Sequence, residues 1–340
     1  MADLVKTITD VFPTKTILVV GDLVADQFLH GSISRVSREA PVFILRHEET
    51  ETRPGGAANA AANIASLGGG AVPVGVVADD EAGRRLCDAL TDRQVGCEWI
   101  TEDPGGTTTT KVRVLAGQNY SVKQQVIRID YENPTAFSAQ IHADLGGSLR
   151  AAAESADAIV VSDYGYGVLN SDLYEEARCL AKKYEIPLIV DSRFRLREMP
   201  GATSATPNQE EVEHLLGAEF TDADCLRLCE DLGYESIVVT CGNRGMVVVE
   251  PGRGTFRMSA IGSTEPVDVT GAGDTVIAAY ALGLASGLSF RDAATIANHA
   301  GGIVVMKKGT ATVSMDELCE SLISTQDSSR SKLAAKSNDG

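Results

Sequence analysis

Asp268-Val269-Thr270-Gly271-Ala272-Gly273-Asp274-Thr275 is the stretch on which the reading of this chain turns. It lies between a β-rich region and a long apolar run that predicts a helix from Asp274 to about Ser286. Gly271 and Gly273 let backbone N–H groups approach an anion that a Cβ would obstruct. A helix N-terminus adds unpaired N–H donors and the positive end of a dipole. Gly271, Ala272 and Gly273 therefore form a candidate phosphate cradle. An aspartate in the same turn repels a phosphate unless it has a chemical task, and the natural task is general base toward an attacking hydroxyl. The alternative is that Asp274 only caps the helix. The rest of the chain has to decide between them.

Bulk properties narrow the choice. The chain has 340 residues, 44% hydrophobic and 23% charged, which is a globular composition. Its net charge of −17 argues against nucleic acid or an anionic membrane as the main partner. The seven cysteines form no paired C-x-x-C pattern and read as thiols of a reducing compartment rather than a zinc site. No signal peptide and no membrane-length apolar run is evident, so the expectation is cytoplasmic.

Outward from the motif, the chain alternates strands and helices. Thr16–Val20 (TILVV) reads as a strand buried on both faces, ending in Gly21-Asp22 with Asp26 following. Ligands of open α/β sheets bind beyond the carboxyl ends of strands, which makes Asp22 and Asp26 candidates for binding hydroxyls; turn-capping carboxylates are the alternative. No G-x-G-x-x-G follows this strand, and no P-loop occurs anywhere. Residues 27–52 read as a small β-flap. Residues 106–130 read as a long hairpin with a polar tip at Gly117-Gln118-Asn119, pairing with the flap. Such a second β-layer predicts a lid or a dimer contact. Pro54–Gly68 reads as a glycine start, an alanine-rich helix and a glycine stop, with Asn59 placed to read two sugar hydroxyls. From Asp157 onward, repeated βα units predict a doubly wound, mostly parallel α/β sheet. The domain reading is one unit over 1–325, with a lid at 27–52 and 106–130 and a flexible tail over 326–340.

Five pieces in this order, Gly21–Asp26 (GDLVAD), Pro54–Asn59 (PGGAAN), Thr206–Glu211 (TPNQEE), Thr240-Cys241-Gly242 and Asp268–Thr275, make the chain resemble the ribokinase-like (pfkB-type) carbohydrate kinases. Within them, Gly31–Pro41, Arg53–Gly68, Thr110–Val114 and Gln124–Asp130 are similar to the kinase part of bacterial heptose-7-phosphate kinases. Two departures stand out: Tyr166 where those relatives have lysine and Gln27 where they have arginine. Both remove a cation from the substrate end. Bifunctional relatives continue into a nucleotidyltransferase domain, and the expectation from the 340 residues is that no length is left for one.

The resemblance implies ATP- and Mg²⁺-dependent phosphoryl transfer to a sugar or sugar-phosphate hydroxyl, with Asp274 as base. Its nucleotide side comprises Asn208, Glu211, Thr240, Gly242, Thr270 and Asn298. Glu211 positions Mg²⁺ through water, and Asp268 lies in a loop for K⁺, a candidate further cofactor. Its sugar side comprises Asp22, Asp26, Gly55, Gly56 and Asn59, with Tyr166 stacking on the sugar, hydrogen-bonding it or simply packing. Lys111 and Arg113, two apart on one strand face, reach a substrate phosphate or are solvated charges. The family also implies a homodimer through the lid. Two other readings remain: a kinase of another acceptor (ribose, fructose or a nucleoside), and a non-catalytic sensor on the same fold. The sensor is disfavoured because Asp274, Gly271, Gly273, Asn208 and Glu211 are all present.

Overall fold

The computed structural model of the chain describes residues 2–117, 123–133, 136–263 and 265–338, with side chains to 326. Amphipathic α1 (Ala2–Asp10) leads into β1 (Thr16–Gly21), β2 (Leu23–Val36) and β3 (Phe43–Gly56). Next come α2 (Ala57–Ser66), β4 (Gly70–Ala78), α3 (Glu81–Thr91), β5 (Ile100–Asp103), β6 (Thr110–Gly117) and β7 (Gln124–Tyr131). The polar tip expected at 118–119 lies outside the described residues. Then follow α4 (Ala139–Ala153), β8 (Ala158–Asp163), α5 (Ser171–Tyr184), β9 (Leu188–Ser192), β10 (Ser204–Ala205), α6 (Gln209–Leu216) and α7 (Asp222–Leu232). The chain ends with β11 (Ser236–Thr240), β12 (Met246–Glu250), β13 (Gly254–Met258), α8 (Ala272–Ala285), α9 (Phe290–Val304) and α10 (Met315–Asn338).

Nine strands form the main sheet in the order β13-β12-β11-β10-β9-β8-β1-β4-β5. All neighbours are parallel except the β11–β12 and β12–β13 pairs at one edge. The period-2 alternation of the strands divides the core. Ile17 and Val19 of β1 pack with α2, α8 and α9 on one face, while Leu18 and Val20 pack with α4 and α5 on the other. Both sets are fully buried, which explains why β1 is an unbroken apolar run. Helix α8 is buried from Asp274 to Leu284, so it has no polar face in sequence. The alanines of α2 let it lie closely against α8.

A separate four-stranded sheet, β3-β2-β6-β7, forms the flap. Here β2 runs parallel to β6 and antiparallel to β3, so Asp26 stands beside Lys111 on one side and Arg53 on the other. Val36, Phe43, Ile44, Val126 and Ile127 on this sheet, and Val42 in the connection between β2 and β3, are exposed apolar side chains. At the other end of the chain, the backbone is helical to Asn338 where the sequence predicts a tail from 326. Alanine and lysine in that stretch are good helix formers, so its polar composition does not oppose a helix.

Candidate active site

The first turn of α8 opens at the carboxyl end of the parallel sheet. Gly271 is its N-cap, in the left-handed region at φ +76°. A Cβ there would also meet Asn59 Nδ2 at 2.5 Å, so this position admits only glycine. The N–H groups of Gly271, Gly273 and Asp274 have no acceptor among the described residues. The Ala272 N–H does: it donates to Val269 O at 3.2 Å, closing the turn. Of the three amides expected to hold an anion, Ala272 is therefore committed internally, while the Asp274 amide is a further N–H without an acceptor among the described residues. A Cβ on Gly273 would meet no protein atom within 4 Å, so the space before these donors is open. Beside it, the Thr310 hydroxyl is buried and unpaired.

Asp274 is 3% exposed. Its Oδ2 accepts from Asn59 Nδ2 at 2.8 Å and its Oδ1 from the Tyr164 hydroxyl at 2.7 Å. Burial pushes its pKa up to about 6, against the lowering effect of those two donors. Asn59, expected to read the sugar, thus points its amide at this carboxylate, and its Oδ1 accepts from Asn63. Asn63 in turn accepts from Thr275, linking α2 to α8.

The two aspartates after β1 differ in their surroundings. Asp22 is buried and accepts the backbone N–H groups of Tyr164, Tyr166 and Val168 at 2.8 to 3.1 Å. It anchors the loop after β8, so the sugar hydroxyls expected at this carboxylate meet one already occupied by three amides. Burial raises its pKa, and the amides oppose the rise. Asp26, also buried, pairs with Arg113 at 2.5 Å. Burial raises its pKa as well, opposed first by Arg113. Gly55 and Gly56 fit closely against these two: a Cβ on Gly55 would lie 3.0 Å from the Asp26 carboxylate, and one on Gly56 (φ +57°) would lie 2.5 Å from Asp22 O.

Lys111 and Arg113 share one strand face, as expected, but differ in partners. Arg113 is tied to Asp26. The Lys111 ammonium makes no ion pair among the described residues and lies 5.5 Å from the ring centroids of both Tyr164 and Tyr166. Burial lowers its pKa, with Asp26 opposing. Arg193, which the sequence reading did not single out, sets its guanidinium 5.1 Å from the Tyr164 ring centroid.

Across the mouth, Asn208 and Glu211 form a capping box at the start of α6. Asn208 Oδ1 accepts Glu211 N–H at 2.9 Å and Glu211 Oε2 accepts Asn208 N–H at 2.8 Å. The Asn208 side chain also interacts with the Glu211 carboxylate, so the two residues hold each other at the start of α6. Burial raises the pKa of Glu211. Asp191, at the end of β9, is pushed well up by burial and then by Glu211 and Asp274. Among the described residues no three acidic, thiol or imidazole groups converge enough to hold a metal ion alone. The carboxylates of Glu211 and Asp191 fit a cation whose remaining ligands are phosphate and water.

Thr240 bridges to Asn208 and donates its N–H to Pro207 O at 2.9 Å, bringing β11 beside that capping box. A cleft of about 470 Å³ follows, lined by Cys241, Arg244, Met246, Arg257, Met258 and Ser259 among others. Gly242 begins the turn after β11 with φ +57°. Asn298 is buried on α9 and donates to Ser259 O at 2.8 Å, so it holds the cleft wall. Asp268 accepts from the N–H groups of Thr270 and Gly309, both at 2.9 Å. Burial acts to raise its pKa, but those bonds outweigh it and the net shift is downward. This carboxylate ties the glycine turn to the segment after α9, where Val305 O also accepts from Val267 and Asp268.

A nine-stranded, mostly parallel sheet with a β-flap over a buried aspartate at a glycine-rich helix start defines a sugar-kinase architecture. The chain belongs to the pfkB family of carbohydrate kinases, whose family model matches residues 15–318. It is 38% identical to the Bifunctional protein HldE of Mesorhizobium japonicum over 313 residues, which is 90% of this chain and 62% of that protein. Identity to the protein of the same name from Azorhizobium caulinodans is 40%, over 89% of this chain and 63% of the relative. The chain thus spans less than two thirds of the length of these curated relatives. In fold it is similar to Arabidopsis thaliana ribokinase complexed with ribose and ATP (TM-score 0.69, 21% identity, 91% of this chain and 98% of that one). It is similar also to Escherichia coli phosphofructokinase-2 in complex with potassium (TM-score 0.71, 21% identity, 90% and 97%). Among the described residues no helix is long and apolar enough to cross a membrane.

Proposed function

We propose that this carbohydrate kinase transfers the terminal phosphoryl group of ATP to a hydroxyl of a phosphorylated sugar, with heptose 7-phosphate as the leading acceptor. The observation that carries the reading is Asp274: a buried carboxylate with a pKa raised to about 6, in the same helical turn as three N–H donors, its own included, that have no acceptor among the described residues, beside an open space. In this reading the N–H groups of Gly271, Gly273 and Asp274 stabilise charge building on the transferring group. Asp274 takes the proton of the acceptor hydroxyl at a carboxylate oxygen, each of which has a lone pair beyond the one already bonded.

The nucleotide would lie along Thr240, Gly242 and the neighbouring cleft, with Asn298 holding its wall and Thr270 beside its phosphates. Glu211, Asp191 and the Asn208 amide are the groups that would hold a water-ligated Mg²⁺, which supplies charge neutralisation at the phosphates. Asp268 and the carbonyls near Val305 are the candidate K⁺ loop. At the acceptor end, Lys111 is a cation without an ion-pair partner among the described residues, which supports a substrate that already bears a phosphate; Tyr166 beside it supplies a flat face for the sugar. Asp22 and Asp26 serve this end by shaping it, Asp22 through the loop and Asp26 through Arg113. The departures at Tyr166 and Gln27 favour another acceptor as the competing outcome. We also take 1–325 as a single kinase domain. The exposed apolar residues of the flap sheet support a homodimer formed through it.

ADP release from ATP and Mg²⁺ with a panel of free and phosphorylated sugars tests the reading. Heptose 7-phosphate should give the highest kcat/KM, and turnover should be faster with phosphosugars than with their free counterparts. If free sugars outrun every phosphosugar, the phosphorylated-acceptor assignment fails.

A further inference from the structure

Tyr164 touches Asp274, Asp22, Lys111 and Arg193, yet no motif of the sequence assigns it a role. Its hydroxyl donates to Asp274 Oδ1 at 2.7 Å, while its own N–H donates to Asp22 Oδ2 at 2.8 Å. The same carboxylate holds Tyr166 and Val168, and Gly165 and Gly167 take positive φ of 80° and 101°. The loop is therefore fixed from beneath by Asp22, in a shape that only glycines at 165 and 167 adopt easily. The ring of Tyr164 lies under two cations, Lys111 and Arg193.

We propose that Tyr164 is a positioning residue of the phosphoryl transfer: it and Asn59 grip the two oxygens of Asp274, so that the carboxylate presents its free lone pairs to the acceptor hydroxyl in one fixed orientation. The inference rests on the kinase reading given above. The phenol is suited to the task because it cannot itself compete for the proton. Burial and the adjacent Asp274 push its own ionisation well above the ordinary tyrosine range, so it remains a donor throughout the working pH range. An amide on one oxygen and a phenol on the other leave the carboxylate no low-cost rotation. A base held in one geometry needs no reorganisation when the hydroxyl arrives.

Tyr164 also sets the basicity of the group it holds. The groups facing Asp274 are Asn59 from α2, Asp26 from β2, Lys111 from β6, Asp191 from β9 and Tyr164 itself. Burial and Asp26 raise its pKa, while Asn59, Tyr164 and Lys111 lower it. Removing the phenol oxygen deletes one of the lowering contacts and leaves the ring, and with it the two cations, in place.

Tyr164→Phe tests the proposal by two readouts on the intact chain. The first is the titration of the Asp274 carboxyl carbon by NMR, assigned with Asp274→Asn. The second is the pH profile of kcat/KM for the acceptor. Both midpoints should move up together by about one pH unit, with kcat at pH 8 down about tenfold and KM for ATP unchanged. A carboxyl titration and a pH profile that superimpose on those of the unsubstituted chain overturn the proposal, whatever happens to stability. If the unsubstituted chain phosphorylates no sugar, the kinase reading falls, and the carboxyl titration alone still decides whether Tyr164 governs Asp274.

Discussion

Asp274→Asn should make the free protein more stable at alkaline pH. Burial raises the folded pKa of this carboxyl from the usual 3.8 to about 6. The folded chain therefore holds the proton to higher pH than the unfolded chain does. The contribution of this group to stability is complete below about pH 3.8 and is lost as pH rises through about 6. At roughly 1.4 kcal/mol per pH unit, the cost of ionising it inside the fold is on the order of 3 kcal/mol. Asparagine never pays for that ionisation, and its amide still offers an oxygen to Asn59 and an N–H to the Tyr164 oxygen. With an unfolding entropy of about 2 cal/mol/K per residue, 3 kcal/mol corresponds to about 4 °C for this chain. Thermal unfolding of both proteins without ligands, at pH 8 and pH 4.5, provides the assay. The variant should melt about 4 °C higher at pH 8, with the gap narrowing to roughly a third of that at pH 4.5. Buried carboxyls remote from Asp274 titrate alike in both proteins and cancel in the difference, while Asp191 and Asp26, relieved of the Asp274 charge, widen the gap in the same direction. A variant that melts lower at pH 8, or a gap equal at both pH values, would refute the claim that Asp274 is ionised at a cost in the fold.

Gly271→Ala and Gly273→Ala should separate folding from chemistry. Alanine at 271 sits at φ +76° and strikes Asn59, so it should destabilise the fold by about 1–2 kcal/mol in urea unfolding, and turnover should fall with it. Alanine at 273 enters open space and should leave the melting temperature unchanged or slightly raised, yet lower kcat by about 100-fold by filling the anion's place. Arg113→Met leaves Asp26, 5% exposed at its side chain, without its partner. It should cost about 3 kcal/mol at pH 8 and less as pH falls, because burial already favours the protonated form of Asp26.

The elements that the sequence displayed best are those whose burial is uniform. TILVV announces β1 because both faces of the strand are covered, and the apolar run after Asp274 announces α8 because no face of it meets water. Helix α4 escaped notice although Ile141, Leu145 and Leu149 are spaced one turn apart, because glycines and polar residues dilute that stripe. Strand β13 is a short, half-exposed edge paired antiparallel to β12, with little apolar signal of its own. At the site, the glycine turn and Asp274 were legible because their chemistry is local. The Asn59 amide and the Tyr164 hydroxyl were not, since their common target lies 215 and 110 residues away in the chain. Only the placement of β8 beside β1 brings Tyr164 over Asp22 and toward α8. The rule that sites gather beyond strand ends offered the one available hint, for Tyr164 follows β8 directly and Asp191 lies near the end of β9.

The central claim is that Asp274 removes the proton from a sugar hydroxyl during phosphoryl transfer. Steady-state ADP formation with heptose 7-phosphate, measured for the unsubstituted chain and for Asp274→Asn alongside ATP binding by calorimetry, tests it most directly. The account predicts a loss of turnover of at least about 1,000-fold with ATP affinity changed little. A variant that binds ATP and keeps most of its turnover would contradict it.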